Sequence, residues 1–533
     1  MARTPLLRKL ILALQTARRE NLKVQQLPPP ISVSEANWSR RKFLKTTSLA
    51  GMLGLTGGLS SLPALATSPP VPEIAIIGAG LAGLNAAYQL KKVGVLTTVY
   101  EARPRVGGRV RSVVMKGGLI VDLGAELINT DHADMLDLVA DFGIELFDRL
   151  ADSANQPYPK STFYFDGARI NESELADDLR MMADQINADS VLLDQDWDTY
   201  APLLDKLSVT DYLDLHADKI SKPYIRELLI SIIRTEYGVE SDESSALQLI
   251  FVLPVVNGQA VDLLSYSDEA FSVVGGSAEI TTALGAELAG QVQLNKNLTE
   301  ITANGSGYLL KFSDQSTVEA DIVIITIPFP VLSRITLNVT LPRRLRHFIN
   351  EGKLGSNEKV IGSFSTRIWR TAQAFSSDAW GIPGFSEVWD ETARQDKRHD
   401  GALNFFLGGD EARQLGAISD VKALGTQFVS ALNDVIPGAT QAAKGQFIKS
   451  AWTINQKTLG GYSSFKPGQL TRFGGYFWIE SDIPKEQQEV SVGNLIFAGE
   501  HLSDEFYGFM NGAAQTGRLA ANLVVKKITA LTV

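Results

Sequence analysis

Three glycines at a strand-to-helix junction are the residues with the clearest chemical meaning in this sequence. Gly78, Gly80 and Gly83 lie between an apolar run at 73–77 and a segment at 81–93 whose apolar residues recur at helical spacing. Gly78 permits the tight turn, Gly80 lets a diphosphate approach the backbone, and Gly83 lets helix and strand pack closely. Because N–H groups at a helix N-terminus attract phosphate, the pattern predicts a dinucleotide cradle.

An acidic residue follows the glycines at the distance that such a cradle requires. Residues 97–100 read as a second strand, and Glu101 comes next, 23 residues after Gly78. A carboxylate there accepts both ribose hydroxyls and repels a 2′-phosphate, which disfavours NADP. The turn at 101–109 reads EARPRVGGR. Together, these features favour an FAD-binding turn over an ordinary glycine-bearing turn in another α/β protein.

Composition sets limits on the chemistry. The 533 residues suffice for about two or three domains, and 44% hydrophobic with 21% charged residues is typical of a globular protein. The absence of cysteine excludes disulfides, thiolate metal sites and a flavin tethered through cysteine, so FAD is expected to bind noncovalently. The five histidines lack metal-ligand spacing, and no metal is predicted.

The N-terminal residues resemble an export signal. Residues 39–45 read SRRKFLK and precede a weakly apolar stretch at 46–63 and then ALA at 64–66, as in a twin-arginine signal. This predicts a periplasmic enzyme that captures its cofactor before export. The apolar stretch is interrupted by glycines and serines, which argues against a membrane anchor. The basic amphipathic segment within 1–38 leaves peripheral membrane association open.

Charge separates at the same boundary. Residues 1–66 hold 10 Lys and Arg against 2 Asp and Glu, which leaves 40 against 58 and a net charge of −18 for the remainder. Such acidity disfavours nucleic acid as a partner and favours a cationic small molecule. Nothing in the sequence fixes the oligomeric state.

The order of the elements predicts an α/β fold with a discontinuous cofactor domain. Rossmann-type features cluster at 73–146, 272–335 and 456–533, which we assign to an FAD-binding domain after a leader at 1–66. The inserts at 147–271 and 336–455 are assigned to a substrate domain with a mixed sheet and helices. The first insert is expected to form a helical wall from 172–186, 209–215 and 224–236, and the second to combine a strand at 359–365 with a helix at 421–436.

Further segments make a family resemblance specific. The sequence reads DLGAE at 122–126, GG at 275–276, ADIVIITIP at 320–328, GNLIFAGEH at 493–501 and YGFMNGAAQTGR at 507–518. In this order, they resemble the flavin amine oxidases, a family that includes monoamine, polyamine and L-amino acid oxidases. The resemblance spans nearly all of the chain after the leader, with the two inserts only loosely specified.

The resemblance implies a set of cofactor contacts. Glu101 and Arg109 would hold the adenosine and diphosphate, Leu298 would offer backbone groups to adenine, and Glu500 would bind the ribityl chain. The N–H of Met510 would face the flavin N1–C2=O edge. The complete set of expected FAD-binding residues is Gly78, Gly80, Leu81, Ala82, Gly83, Glu101, Ala102, Arg103, Gly108, Arg109, Gly124, Ala125, Glu126, Leu298, Gly499, Glu500, Phe509 and Met510.

The resemblance also implies the catalytic residues. Lys359 matches a lysine that holds a water near flavin N5, and Tyr462 and Phe509 match aromatics that flank the amine. Gly461 stands where covalent members carry the flavin-linked cysteine. A hydride would pass from the α-carbon of a neutral amine to flavin N5, and the imine would hydrolyse to a carbonyl and ammonia. Dioxygen and a membrane quinone both remain open as electron acceptors.

The sequence leaves substrate identity open. Many L-amino acid oxidases carry a carboxylate-binding arginine just after the Leu-Gly segment, whereas this chain has Glu126 and Leu127. Glu126 either pairs with an ammonium or guanidinium group, favouring a simple amine, a polyamine or a basic amino acid, or is structural. Two further classes of protein stay open: an FAD desaturase or porphyrinogen-type oxidase acting on an apolar substrate, and a flavin-containing binding protein without turnover.

Overall fold

The structure is a computed structural model that describes residues 72–416 and 418–531. Residues 1–66, the predicted leader with a twin-arginine-type motif, lie outside the described residues. Within the described part, no helix is both long and apolar enough to cross a membrane.

A six-stranded sheet forms the centre of the cofactor side of the fold. Five neighbouring strands are parallel and the last pair is antiparallel. The buried β-branched strand Ile74–Ile77 lies in the interior of the sheet, as expected for a strand covered on both faces. The strand order is Val292–Gln293, Thr98–Tyr100, Ile74–Ile77, Ile322–Ile325, Leu495–Phe497 and Ser491–Val492. Three distant stretches of the chain therefore build one sheet, and the predicted α/β fold with a Rossmann-type sheet is confirmed.

Two long helices pack against each other beside this sheet. The helix Leu81–Lys92 follows the first strand, and the helix Met510–Leu531 lies against it. A β-carbon on Gly517 would lie 2.3 Å from the carbonyl oxygen of Ala82, so the two backbones meet where only glycine fits. The Asn85 side chain also donates to the carbonyl of Ala514 at 2.7 Å.

A seven-stranded sheet forms the other large layer. Its strand order is Ala443–Lys449, Asn357–Phe364, Gly401–Gly408, Glu387–Asp390, Asp378–Trp380, Ser161–Phe165 and Ala168–Ile170. The last two strands come from the first insert, which therefore contributes to the sheet as well as forming the predicted helical wall. Ser161–Phe165 pairs in parallel with Asp378–Trp380, more than 200 residues away.

Smaller sheets complete the fold. A four-stranded sheet has the order Thr317–Ala320, Gly307–Phe312, Leu298–Asn304 and Thr336–Asn338, and a three-stranded sheet has the order Leu127–Ile128, Phe271–Val273 and Leu146–Asp148. The two-stranded sheets pair Ser112–Val114 with Ile120–Asp122, Val255–Asn257 with Ala260–Asp262, and Lys353–Leu354 with Ser463–Ser464.

The helices of the inserts agree closely with the sequence periodicity. Val209–Leu215 has the predicted bounds, and Pro223–Tyr237 extends the prediction by one residue at each end. The helix Glu172–Gln195 runs nine residues past its predicted end, because Asp189, Ser190 and Leu193 continue its buried face. The other α-helices are Ala133–Phe142, Arg149–Ala154, Trp197–Leu204, Ala246–Val252, Ala278–Glu287, Phe329–Leu332, Arg343–Glu351, Gly409–Leu415, Val421–Val435, Ala439–Ala442 and Gln469–Phe473.

Candidate active site

The glycine cradle has the geometry of a ligand-binding turn. Gly78 has φ +106°, and a β-carbon on Gly83 would lie 2.0 Å from the carbonyl oxygen of Gly78. By contrast, a β-carbon on Gly80 would meet no other protein atom within 4 Å. Gly80 caps the helix Leu81–Lys92 without a side-chain hydrogen bond, so the helix N-terminus is not capped by the protein itself. Leu81 and Ala82 form the buried first turn.

Glu101 is placed at the end of the second strand, beside the cradle. Its carboxylate accepts hydrogen bonds from the N–H groups of Ala79 and Arg103, both at 2.8 Å. The side chain of Arg103 lies 3.6 Å from the same carboxylate. Ala102 lies between these two residues in the turn. Glu101 thus organises the turn, and it is 3% exposed.

The turn that follows Glu101 closes over the glycines. A β-carbon on Gly108 would lie 3.2 Å from the Cα of Gly80, and Gly107 donates its N–H to the carbonyl of Ala79 at 2.8 Å. Gly124 has a still closer neighbour, since its β-carbon would lie 1.8 Å from the carbonyl oxygen of Arg109. The N–H of Ala125 donates to the same oxygen at 3.3 Å.

Leu298 lies near the segment that carries Glu101. It begins the strand Leu298–Asn304 and pairs with Phe312, whose ring lies 4.9 Å from that of Tyr100. Two residues earlier, Lys296 donates its N–H to the carbonyl of Glu101 at 2.8 Å. Leu298 is therefore near the end of the cradle at which Glu101 lies.

Glu500 joins the cradle to the C-terminal segment. Its carboxylate pairs with Arg109 at 2.7 Å and accepts hydrogen bonds from Ser463 at 2.6 Å and from the N–H of Gly508 at 2.7 Å. Burial alone would raise the pKa of the Glu500 carboxyl, but the Arg109 guanidinium and these hydrogen bonds hold the pKa below its usual value. Gly499, just before Glu500, has φ +138°.

The helix Met510–Leu531 starts next to Glu500. Its first residue, Met510, is 6% exposed, and Phe509 precedes it. Arg518 in the same helix pairs with Asp134 at 2.5 Å and with Glu480 at 2.8 Å. These ion pairs fix the helix against two other parts of the chain.

Lys359 lies on the seven-stranded sheet inside a ring of charged and aromatic groups. Its ammonium group is 2.7 Å from the carboxylate of Glu126, 3.6 Å from that of Glu391 and 5.1 Å from the ring centre of Trp389. The lysine is only 6% exposed. Burial alone would lower the pKa of Lys359, but the two carboxylates raise it above its usual value, so the ammonium form is held. Glu126 thus pairs with a cation of the protein itself.

The structure brings Tyr462 and Phe509 into one neighbourhood. The hydroxyl of Tyr462 donates to the carbonyl of Thr235, and the next residue, Glu236, accepts a hydrogen bond from Tyr266. The ring of Tyr266 lies 5.7 Å from that of Phe509. The two aromatics are thereby linked through the C-terminal end of one helix.

The ring of Phe509 also contacts His132. The two rings are 5.1 Å apart, and the His132 Nδ1 accepts the N–H of Asn129 at 3.0 Å. Burial lowers the pKa of His132 to about 3. A neutral imidazole therefore supports the ring of Phe509.

Acidic side chains surround Tyr462. Glu236, Glu269 and Glu387 each act electrostatically on Tyr462 and are only half-buried, from which we infer that they face a cavity. Burial, reinforced by Glu269, raises the pKa of the Glu236 carboxyl to about 7, and burial together with Asp378 and the other acids raises that of Glu387 well above its usual value. The cavity thus concentrates carboxylates that a cation would stabilise.

Strand register places one of these acids near Lys359. Lys359 pairs with Phe406, and Phe406 pairs on its other side with Glu387, so the three side chains share one face of the sheet. Since neighbouring strands are about 4.8 Å apart, Glu387 lies roughly 10 Å across the sheet from Lys359. Trp389, two residues from Glu387, projects from the same face.

Several of these residues carry no signal in the sequence. Glu236, Glu269, Glu387 and Glu391 belong to different elements and match no motif, so sequence reasoning missed them. Within the described residues, no group of three or more His, Asp or Glu side chains is arranged to hold a metal ion.

The cradle fits FAD on its own geometry. The helix N-terminus is open at Gly80, where even a β-carbon would find no protein neighbour. Glu101 is positioned by backbone N–H groups at the end of the adjacent strand. A diphosphate fits the first feature and a ribose the second.

Comparison with known proteins agrees with this geometry. A family model described as flavin containing amine oxidoreductase matches residues 81–525. The putrescine oxidase of Kocuria rosea is 27% identical over 483 residues, which cover 84% of this chain and 94% of that protein. The flavin-containing amine oxidase A of Sus scrofa is 23% identical over 476 residues, covering 86% and 85%.

Solved structures share the fold. Cyclohexylamine oxidase from Brevibacterium oxydans superposes with a TM-score of 0.72 at 23% identity, over 86% of this chain and all of that one. Wild-type putrescine oxidase bound to putrescine gives a TM-score of 0.71 at 23% identity, over 85% and 99%. The chain is a member of the flavin containing amine oxidoreductase family and is therefore an FAD enzyme that oxidises amines.

Proposed function

We propose that the protein deaminates an amine that carries a second cationic group. The acidic cavity supports this proposal, because the four acids Glu236, Glu269, Asp378 and Glu387 outnumber Arg149 and Lys160, the two cations that interact with them. A second ammonium or guanidinium group would offset these charges, whereas a large apolar substrate would leave them unpaired. The putrescine oxidases among the relatives and solved structures are consistent with a diamine.

The proposed catalytic roles follow from the placement of three side chains. Tyr462 and Phe509 flank the reacting amine, and Lys359 holds a water beside the reaction centre with its charged ammonium group. Bound FAD supplies the oxidant that takes a hydride from the α-carbon of the neutral amine. The resulting imine hydrolyses to a carbonyl compound and ammonia.

The proposed cofactor contacts come from three distant segments. We assign the diphosphate to the helix N-terminus at Gly80, the adenosine ribose to Glu101 and the adenine to the backbone at Leu298. Glu500 serves the ribityl chain, and the N–H of Met510 faces the flavin ring. The boundaries of the cofactor and substrate domains remain those assigned from the sequence.

A basic L-amino acid is the second candidate. Arg149 supports it, because this arginine lies among the acids and donates to the carbonyl of Glu269 at 3.0 Å. It could bind an α-carboxylate while the acids bind the side-chain cation. The two classes differ by one group, so matched substrates separate them.

The test is anaerobic flavin reduction by a matched panel. Butylamine, putrescine and ornithine share a four-carbon chain and add first a second amine and then a carboxylate. Bleaching of the flavin by putrescine, with little bleaching by butylamine, supports a diamine substrate. Stronger bleaching by ornithine than by putrescine supports a basic amino acid. An unchanged flavin spectrum with every amine and amino acid contradicts the proposed function.

Dioxygen is the proposed electron acceptor. The relatives are named as oxidases, which supports it over a membrane quinone. Oxygen uptake by the purified enzyme with substrate is expected to be the same with and without added membranes. Turnover that requires membranes would favour the quinone.

Export by the twin-arginine route is also proposed. The SRRKFLK motif at 39–45 supports it, since this route carries folded, cofactor-loaded proteins. Replacing Arg40 and Arg41 by lysine is expected to retain the FAD-loaded protein in the cytoplasm. Unchanged periplasmic activity would contradict the assignment.

A further inference from the structure

Five charged side chains form a buried cluster around Lys359. Three are carboxylates and two are cations, and none is more than 6% exposed. They come from the segment at 122–126, the strand Asn357–Phe364 and the turn at 391–394. The members are Asp122, Glu126, Lys359, Glu391 and Arg394, and together they are called the Lys359 cluster.

The contacts within the cluster are unequal. Glu126 lies 2.7 Å from Lys359, and Asp122 lies 3.0 Å from Arg394. Glu391 lies farther from both cations, 3.6 Å from Lys359 and 3.8 Å from Arg394. Two carboxylates therefore have close counter-ions, and the third does not.

Glu391 and Asp122 are both fully buried, and each has one carboxylate oxygen without a hydrogen-bond partner. The Oδ2 of Asp122 still lies 3.0 Å from Arg394, whereas the Oε2 of Glu391 lies 3.6 Å from Lys359. The Oε1 of Glu391 accepts the N–H of Asp122 at 2.5 Å. A buried ionised oxygen without a donor is costly, whereas a protonated carboxyl avoids that cost. Burial, reinforced by Glu126, raises the pKa of Glu391 well above its usual value.

Among the residues that the structure describes, no neighbouring group supplies the missing positive charge. Asp390 pairs with Arg367 at 3.1 Å and with Arg370 at 3.2 Å, and Arg370 pairs in turn with Asp152 at 2.7 Å. This adjacent set has two cations and two anions and is balanced.

On the cavity side, Arg149 acts on Glu126 but also pairs with Glu269 at 3.5 Å, among acids that outnumber it. With all five members ionised, the Lys359 cluster would therefore hold a net buried charge of −1, which the protein interior disfavours.

We propose that the Lys359 cluster is a proton-storage site in which Glu391 is the neutral acid and the other four members are ionised. The number of stored protons then equals the number of carboxyl groups minus the number of cationic side chains, which is one. Glu391 acts as a positioning residue, because its neutrality leaves Glu126 as the close counter-ion of Lys359 and holds the ammonium group in one orientation. The inference rests on the proposed function only for the catalytic role of Lys359.

The stored proton can be observed by infrared spectroscopy of the full-length holoenzyme with FAD bound. The spectrum of the wild type minus that of Glu391→Gln is expected to show the carbonyl stretch of one protonated carboxylic acid near neutral pH. Glu126→Gln is expected to lose the same band, because Glu391 then ionises as the counter-ion of Lys359. Lys359→Met is expected to gain a second band, since three acids then face one base.

A buried acid outside the cluster provides the control. Glu358, which is 2% exposed and accepts the N–H of Thr453 at 2.7 Å, precedes Lys359 on the same strand. Glu358→Gln is expected to leave the carboxylic acid band in place. If Glu391→Gln does not fold, the opposite changes expected for Glu126→Gln and Lys359→Met still decide the question.

Two results would overturn the inference: no carboxylic acid band lost in Glu391→Gln, or an undiminished band in Glu126→Gln. These infrared spectra of the holoenzyme do not depend on enzyme turnover. An inert amine panel with the expected bands would refute the proposed function alone, whereas amine-dependent bleaching without the bands would refute the proton store alone.

Discussion

At the scale of single residues, Lys359 depends on its neighbours for its charge. A buried lysine without partners loses its proton, but Glu126 at 2.7 Å and Glu391 at 3.6 Å raise its pKa. The cation lies against Trp389, on the sheet face that carries Glu387. Lys359 is therefore a fixed positive charge close to the acidic side chains around Tyr462.

Replacing Lys359 by methionine tests this role. We expect Lys359→Met to bind FAD and to lose about 10²- to 10³-fold in the rate of anaerobic flavin reduction, the cost typical of removing one electrostatic group from a reaction site. Stopped-flow spectroscopy measures the rate. Lys353→Met, on the exposed side of a two-stranded sheet, is the matched control. An unchanged rate would show that Lys359 has no part in the flavin-reducing step.

The pKa of Glu236 predicts how substrate affinity depends on pH. This carboxyl titrates at about 7, so it is neutral below that pH and attracts a cation above it. We expect the preference for putrescine over butylamine to rise about tenfold as the pH increases through about 7, equivalent to about 1.4 kcal/mol. Glu236→Gln is expected to abolish the step. A preference that does not change with pH would contradict the cation-binding role.

At the scale of secondary-structure elements, two glycines of the cradle differ in their role, since one is needed for folding and the other for ligand binding. Gly83 is needed for the helix Leu81–Lys92 to approach the strand before it, since a β-carbon would lie 2.0 Å from the carbonyl oxygen of Gly78. Gly80 has an extended backbone with φ −76° and would carry a β-carbon without any protein clash.

Two alanine substitutions exploit this difference. Gly80→Ala is expected to keep the melting temperature of the FAD-free protein and to weaken FAD binding about tenfold or more, because its methyl group enters the diphosphate space. Gly83→Ala is expected to destabilise the fold itself by about 1–3 kcal/mol. Thermal unfolding and flavin titration measure both effects. Tight FAD binding by Gly80→Ala would contradict the assigned cradle.

The elements also show what the sequence could and could not predict. The helices Val209–Leu215 and Pro223–Tyr237 follow from local periodicity, as does the strand Asn357–Phe364. The strand Ser161–Phe165 could not be assigned to the larger sheet, because its partner Asp378–Trp380 lies far away in sequence. Pairing over such distances leaves no local pattern.

The residues of the candidate site also differ in whether the sequence could predict them. Glycine motifs locate the cradle because turns and close approaches constrain the residue type. The cavity acids Glu236, Glu269 and Glu387 come from a helix end, a loop and a strand, and only folding brings them together. Likewise, the sequence left open whether Glu126 faces a substrate cation, and the structure pairs it with Lys359.

At the scale of the whole molecule, the acidic cavity links pH, ligand and stability. Glu236, Glu269 and Glu387 have pKa values raised in the folded protein, so the folded state binds protons that the unfolded state releases. Their contribution to stability is therefore full at low pH and is lost as the pH rises through the folded pKa.

This linkage predicts the thermal stability of the holoenzyme. We expect the melting temperature to fall as the pH rises from about 6 to about 9, and added dicationic amine to restore part of the loss under anaerobic conditions. Differential scanning fluorimetry across this range measures both effects, with butylamine as the control ligand. A melting temperature that rises steadily with pH would show that other groups dominate.

The proposed function requires that bound FAD is reduced by an amine whose second cation lies among the cavity acids. The decisive quantity is the dissociation constant for putrescine relative to butylamine, from anaerobic flavin-reduction kinetics of wild type, Glu387→Gln and the exposed control Glu319→Gln. We expect Glu387→Gln to lose about 10- to 100-fold of the preference for putrescine, equivalent to about 1.4–2.8 kcal/mol for a lost charged contact, while Glu319→Gln keeps it. Equal affinity of the wild type for the two amines, or a full preference in Glu387→Gln, would rule out a second cation among these acids.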